Sequence, residues 1–109
     1  MAKIIHTEDN LLRFDDGTEI TCDHCQDCCE YNYAKFEDID DLCRATKFNT
    51  NKLVFEKVEG SGFRFGNKNG RMFFVPCYSD QNGYYTAELD VYINGRQVLH
   101  IDECNENYC

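Results

Sequence analysis

The segment Cys22-Asp23-His24-Cys25-Gln26-Asp27-Cys28-Cys29-Glu30 brings thiols, an imidazole and carboxylates into one short stretch. A second group is Cys104-Asn105-Glu106-Asn107-Tyr108-Cys109. Cys22 and Cys25 stand at the Cys-x2-Cys spacing of a zinc knuckle, as do Cys25 and Cys28, while Cys104 and Cys109 are spaced Cys-x4-Cys. A structural zinc site takes thiolate or imidazole ligands in a tetrahedron. Two turn-borne pairs, Cys22 with Cys25 and Cys104 with Cys109, could complete such a site around one zinc ion. Two other readings of the 8 cysteines stay open. They are free thiols, with Cys43 and Cys77 filling core positions, or disulfides.

His24 beside Cys28 and Cys29 suggests a nucleophile and its base. Adjacent residues of an extended chain face opposite ways, so only one of the two thiols can meet His24. A catalytic thiolate also needs an electropositive setting, whereas Asp23, Asp27 and Glu30 raise a thiol pKa. A thiol enzyme is therefore the weakest expectation. A metallohydrolase is poorly served by only 3 histidines. There is no Asp-x-Asp-x-Asp-Gly calcium loop, and Gly60-Ser61-Gly62 lacks the lysine and helix of a phosphate loop.

The 20 acidic against 11 basic side chains give a net charge of −9. That charge opposes direct contact with nucleic acid or an anionic membrane. The acids bunch at Glu37, Asp38, Asp40 and Asp41, among other places. Such a bunch is either a solvated face or a surface that imitates a phosphate backbone and docks on a basic groove. Tyr31, Tyr33 and Tyr84 fall on expected loops or outward strand faces and join the acids as candidate binding residues, since tyrosine is enriched at interfaces. No apolar stretch of 7–15 residues follows Met1, so a cytoplasmic location, with reduced thiols, is expected. No 18-residue apolar run is present to cross a membrane.

These residues must be positioned by strands. The 109-residue length suits a single domain over 1–109. The apolar residues mostly alternate, which predicts short strands near residues 4–5, 11–14, 19–22, 52–59, 63–65, 71–75, 84–93 and 96–101. Asp16-Gly17, Asn69-Gly70 and Asn94-Gly95 supply hairpin turns, and Ser79 to Gly83 reads as another turn. Pro76 is expected to end ladder pairing or to sit on an edge. Phe55, Phe63, Phe65, Phe73 and Phe74 are the expected aromatic core. Helical spacing of Phe36, Ile39, Leu42 and Cys43 predicts one helix of two to three turns, capped by Asp38 and buried through its apolar face. The expected fold class is α+β: a mainly antiparallel hairpin meander with one short helix.

The block His24-Cys25-Gln26-Asp27-Cys28-Cys29-Glu30, followed by Asp38-Ile39-Asp40-Asp41-Leu42, resembles a family of small uncharacterised bacteriophage and bacterial proteins. Those proteins carry a His-x-Gln-Asp-Cys-Cys-Glu block and an acidic helix start. Their late Asn-Gly-Tyr-Tyr turn is matched by Asn82-Gly83-Tyr84-Tyr85, and the Asp15-Asp16-Gly17-Thr18 hairpin also fits. The likeness spans roughly residues 10–93. It implies a β-rich domain of phage or mobile-element origin and carries over no catalytic role. Cys22, Cys25, Cys104 and Cys109 depart from the family pattern. The functional expectation is a non-enzymatic binding protein that inhibits a host nucleoprotein or defence nuclease (an anti-CRISPR-like role) through an acidic surface. Its partner would present a basic surface. The alternative is a zinc-stabilised accessory module without inhibitory activity.

Overall fold

A computed structural model describes residues 1–23, 31–58, 60–68, 70–81, 88–101 and 105–108. The strands are β1 (Ile4–Glu8), β2 (Leu11–Phe14), β3 (Glu19–Asp23), β4 (Tyr31–Ala34), β5 (Leu53–Val58), β6 (Gly62–Asn67), β7 (Phe73–Gln81), β8 (Leu89–Ile93), β9 (Arg96–Ile101) and β10 (Asn105–Tyr108). The single described α-helix, α1, spans Asp41–Ala45. The fold is α+β and mainly antiparallel, as the alternation predicts. It is not one continuous meander. One five-stranded sheet runs β1-β2-β3-β8-β9, and a second runs β10-β7-β6-β5 with β4 also paired to β7. β10 pairs with β7 in parallel.

Local chemistry accounts for the hairpins. Asn94 and Gly95 both take positive φ, 50° and 85°, in the two-residue turn between β8 and β9. That backbone matches the twist of the flanking strands. Leu89, Val91 and Ile93 are buried on one face of β8 while Asp90 and Tyr92 stay half-buried on the other. Strand β7 continues through Ser79, Asp80 and Gln81, where the composition reads as a turn, because it finds pairing partners on both edges there. Residues 82–87, including the Asn82-Gly83-Tyr84-Tyr85 turn, lie outside the described residues.

Pro76 lies inside β7 rather than at its end. Its carbonyl accepts the Lys35 amide at 2.9 Å, and Cys77, one residue on, donates to Ser61 at 2.9 Å. Successive residues of a strand direct their polar groups to opposite edges, so β4 and β6 flank β7 on different sides. The missing proline N–H falls where the β4 ladder stops, so pairing ends there on one edge only.

The two sheets bury one apolar core. Phe48 joins them: its ring lies 5.7 Å from Phe14 of the first sheet, and 5.6 and 5.7 Å from Phe65 and Phe73 of the second. Its backbone is held by reciprocal hydrogen bonds with Ala2, 2.8 and 2.7 Å long. Phe63, Phe65 and Phe73 are core residues as expected, and Phe55 packs against them half-buried. Phe74 is not in the core; it is 42% exposed. In an extended strand the inward place of Phe73 sends its neighbour outward.

Asparagines fasten the connections. Asn10, at φ 65°, receives the Ala34 amide on its Oδ1 at 2.8 Å and ties the first hairpin to β4. Asn67 receives the Asn49 amide and donates to the Asn49 and Lys52 carbonyls, pinning the loop that leads into β5. Asn94 Oδ1 accepts the Glu19 amide at 3.0 Å. An amide side chain has both a donor and an acceptor, so it can replace a backbone group where the ladder ends.

Candidate functional site

The acidic segment is built on a broken helix. Phe36–Asp38 form a 3-10 turn. Ile39 then extends, with ψ 152°, and interrupts it before α1 begins. Asp40 is the N-cap, its carboxylate accepting the Leu42 amide at 2.9 Å. Asp38 therefore does not cap the helix, and α1 has 5 residues rather than two to three turns. The last turn closes where the Thr46 hydroxyl donates to the Leu42 carbonyl at 2.6 Å. Arg44 reaches back to the Glu37 carbonyl at 3.0 Å and joins α1 to the 3-10 turn.

Burial decides which way each side chain points. Phe36, Ile39 and Cys43 are buried and anchor the segment. The break at Ile39 rotates α1 relative to a continuous helix, so Cys43 rather than Leu42 enters the core. Leu42 is 46% exposed. Burial pushes the Cys43 thiol from 9.0 up to about 12, aided by the neighbouring Asp40 charge. It is a packing residue, as its apolar spacing suggests.

Glu37, Asp38, Asp40 and Asp41 are all exposed. Among the described residues no ion pair reaches any of these carboxylates. Of the other described acids, Asp9 and Asp15 are likewise exposed without an ion pair among the described residues, while four have a basic side-chain partner. Glu8 meets His6 at 3.2 Å, Glu19 meets Arg13 at 2.7 Å, Asp90 meets His100 at 2.6 Å, and Glu56 pairs with Arg64.

Two clefts adjoin this segment. One, of about 300 Å³, is lined by Leu42, Thr46, Phe48 and Arg71. The other, of about 490 Å³, is lined by Asp38, Asp40, Arg71 and Phe74. Arg71 and Phe73 border both, and the Arg71 guanidinium carbon stands 5.6 Å from the Phe73 ring centroid. Leu42, Arg71 and Phe74 escape sequence reasoning. The helical spacing favours Leu42 as core, and Phe74 is expected in the core together with Phe73.

The other candidates are distributed differently. Cys22 is buried, 6% exposed, on the core face of β3 opposite Val91. Cys25, Cys104 and Cys109 lie outside the described residues, so the proposed zinc tetrad is represented by Cys22 alone. The family block of His24, Gln26, Asp27, Cys28, Cys29 and Glu30 lies outside them too, as does Tyr84. Tyr31 and Tyr33 belong to β4, not to a loop. Tyr33 is half-buried, with its ring centroid 5.7 Å from that of Tyr78. Among the described residues no helix is long and apolar enough to cross a membrane.

The geometry thus places four exposed carboxylates beside two clefts, one lined by Leu42 and Phe48 and the other by Asp38, Asp40, Arg71 and Phe74. No curated protein and no solved structure matches the chain. A family model does, over residues 2–91, and its description is a domain of unknown function (DUF7448). That match takes in both clefts, the acidic segment and the His24–Glu30 block, and the chain belongs to the DUF7448 family.

Proposed function

We propose that this protein is a non-enzymatic binding protein that presents Glu37, Asp38, Asp40 and Asp41 to a basic surface on a protein or nucleoprotein. The observation that carries this reading is the concentration of charge: four carboxylates within residues 37–41 face solvent without an ion pair among the described residues, while Glu19 and Glu56 are paired with Arg13 and Arg64. Unneutralised charge of one sign steers a partner of the other sign and fixes its register. The net charge of −9 adds a long-range field of the same sign. In its finer form the protein is phage- or mobile-element-borne and occupies the nucleic-acid groove of a host nucleoprotein or defence nuclease from the cytoplasm.

The test uses Glu37→Lys with Asp38→Lys, which spares the Asp40 cap. Tagged wild-type chain and variant are passed over bacterial lysate at rising salt. The expected result is a captured basic protein whose yield falls with salt and is lost in the variant, with the variant's melting curve unchanged. Capture that is indifferent to both salt and charge reversal removes this reading.

A further inference from the structure

We infer that the two clefts around Arg71 form one groove for a peptide segment of a partner protein, in which large apolar side chains alternate with lysine or arginine. This rests on the acidic-surface reading and specifies what the surface holds. The clefts, of about 300 and 490 Å³, share Arg71 and Phe73 in their linings, so they are adjacent. Leu42 and Phe74, 46% and 42% exposed, border them from α1 and β7. The surrounding charge identifies the occupant. Asp38 and Asp40 line the larger cleft, and Glu37 and Asp41 are exposed on the same segment. A nucleic acid is repelled by those carboxylates, and a wholly apolar segment leaves them without a counter-charge. A basic segment with apolar anchors satisfies both parts: apolar side chains cover Leu42 and Phe74, and a cationic group reaches Asp38 and Asp40. Arg71 lines both clefts with its guanidinium near the Phe73 ring, and Phe74 shares the larger cleft with Asp38 and Asp40.

Two fluorescent eight-residue peptides test this on the full chain. One alternates arginine with leucine; the other alternates arginine with serine and has the same charge. Anisotropy is expected to show about tenfold tighter binding of the leucine peptide, from the apolar area it covers. Leu42→Ser with Phe74→Ser should abolish that difference while leaving the serine peptide unaffected. Glu37→Lys with Asp38→Lys should weaken both peptides. Because the paired serine variant could lose stability, amide chemical shifts of the wild-type chain give an independent readout, with perturbations expected at residues 38–42 and 71–74. Equal affinity for the two peptides overturns the groove and leaves the acidic-surface reading standing. Shifts centred elsewhere overturn the groove as well. Failure of both peptides to bind the wild type at low salt overturns both proposals. Concentration-dependent self-association that is lost in the Leu42/Phe74 variant assigns the groove to a second copy of the chain and overturns the peptide assignment.

Discussion

Phe48 shows how much can rest on one side chain. It belongs to no strand, yet its ring touches aromatics of both sheets. Removing a buried aromatic leaves a cavity that close-packed neighbours fill only in part. Phe48→Ala is expected to lower stability by about 3–5 kcal/mol, measured by denaturant unfolding. Cys43 makes a chemical prediction. With its pKa raised to about 12, the thiol is protonated at neutral pH and shielded. Mass spectrometry after brief iodoacetamide treatment at pH 8 should find Cys43 unmodified in folded protein and modified once the chain is unfolded. The same shift gives a pH dependence. The unfolded thiol ionises near 9, so the unfolded state binds fewer protons above that pH and stability falls between about pH 9 and 12.

Within the elements, short pieces depend on single contacts. α1 is too short to persist by propensity, so its cap and its buried anchors hold it. Asp40→Ala removes the acceptor for the Leu42 amide and should cost about 0.5–2 kcal/mol. Asp38→Ala, which leaves that bond in place, should change stability much less, and thermal unfolding of the two variants distinguishes them. Gly62 opens β6 at φ 155°, where an added Cβ would collide with the Val75 carbonyl and the Cys77 amide. Gly62→Ala should therefore destabilise by more than about 1 kcal/mol, because both obstacles are ladder backbone. In the β2–β3 turn, the Thr50 hydroxyl and the Thr18 amide hold the Asp16 carboxyl below its usual range. A carboxyl with a depressed folded pKa stabilises the fold above its unfolded pKa and loses that contribution as pH falls. Thr50→Ala should flatten this acid dependence below about pH 4, as followed by pH-dependent unfolding.

At the scale of the whole molecule, the proposed acidic surface makes a kinetic prediction. Association through Glu37, Asp38, Asp40 and Asp41 should slow steeply as salt rises, because screening acts first on the encounter between separated charges. Dissociation should respond less to salt and more to Leu42→Ser, since apolar contact is not screened. Stopped-flow or surface-based kinetics with the arginine–leucine peptide separate the two rates. A salt effect confined to dissociation would contradict this division of labour.

Strand alternation made much of the fold legible. Leu12, Phe14, Ile20, Leu89, Val91 and Ile93 are buried as the period of two requires, and Asn94-Gly95 announces its turn by needing positive φ twice. The acidity of residues 37–41 and the packing role of Cys43 were also readable from residue type and spacing. Pairing was not, because which strands meet depends on contacts far apart in sequence. β4 and β10 carry little apolar signal and exist through their shared partner β7. Nor could spacing tell that Ile39 breaks the helix, since that break serves to bury Phe36, Ile39 and Cys43 together. Once that packing is set, Leu42 and Phe74 are left at the surface beside the carboxylates. By itself, then, the sequence determined an acidic, β-rich chain with its hairpin turns and core alternation, because those depend on local geometry and side-chain polarity. Only the tertiary structure decided that the acids share a cleft with Arg71 and Phe74, because that juxtaposition arises where a connecting segment is packed against the start of β7.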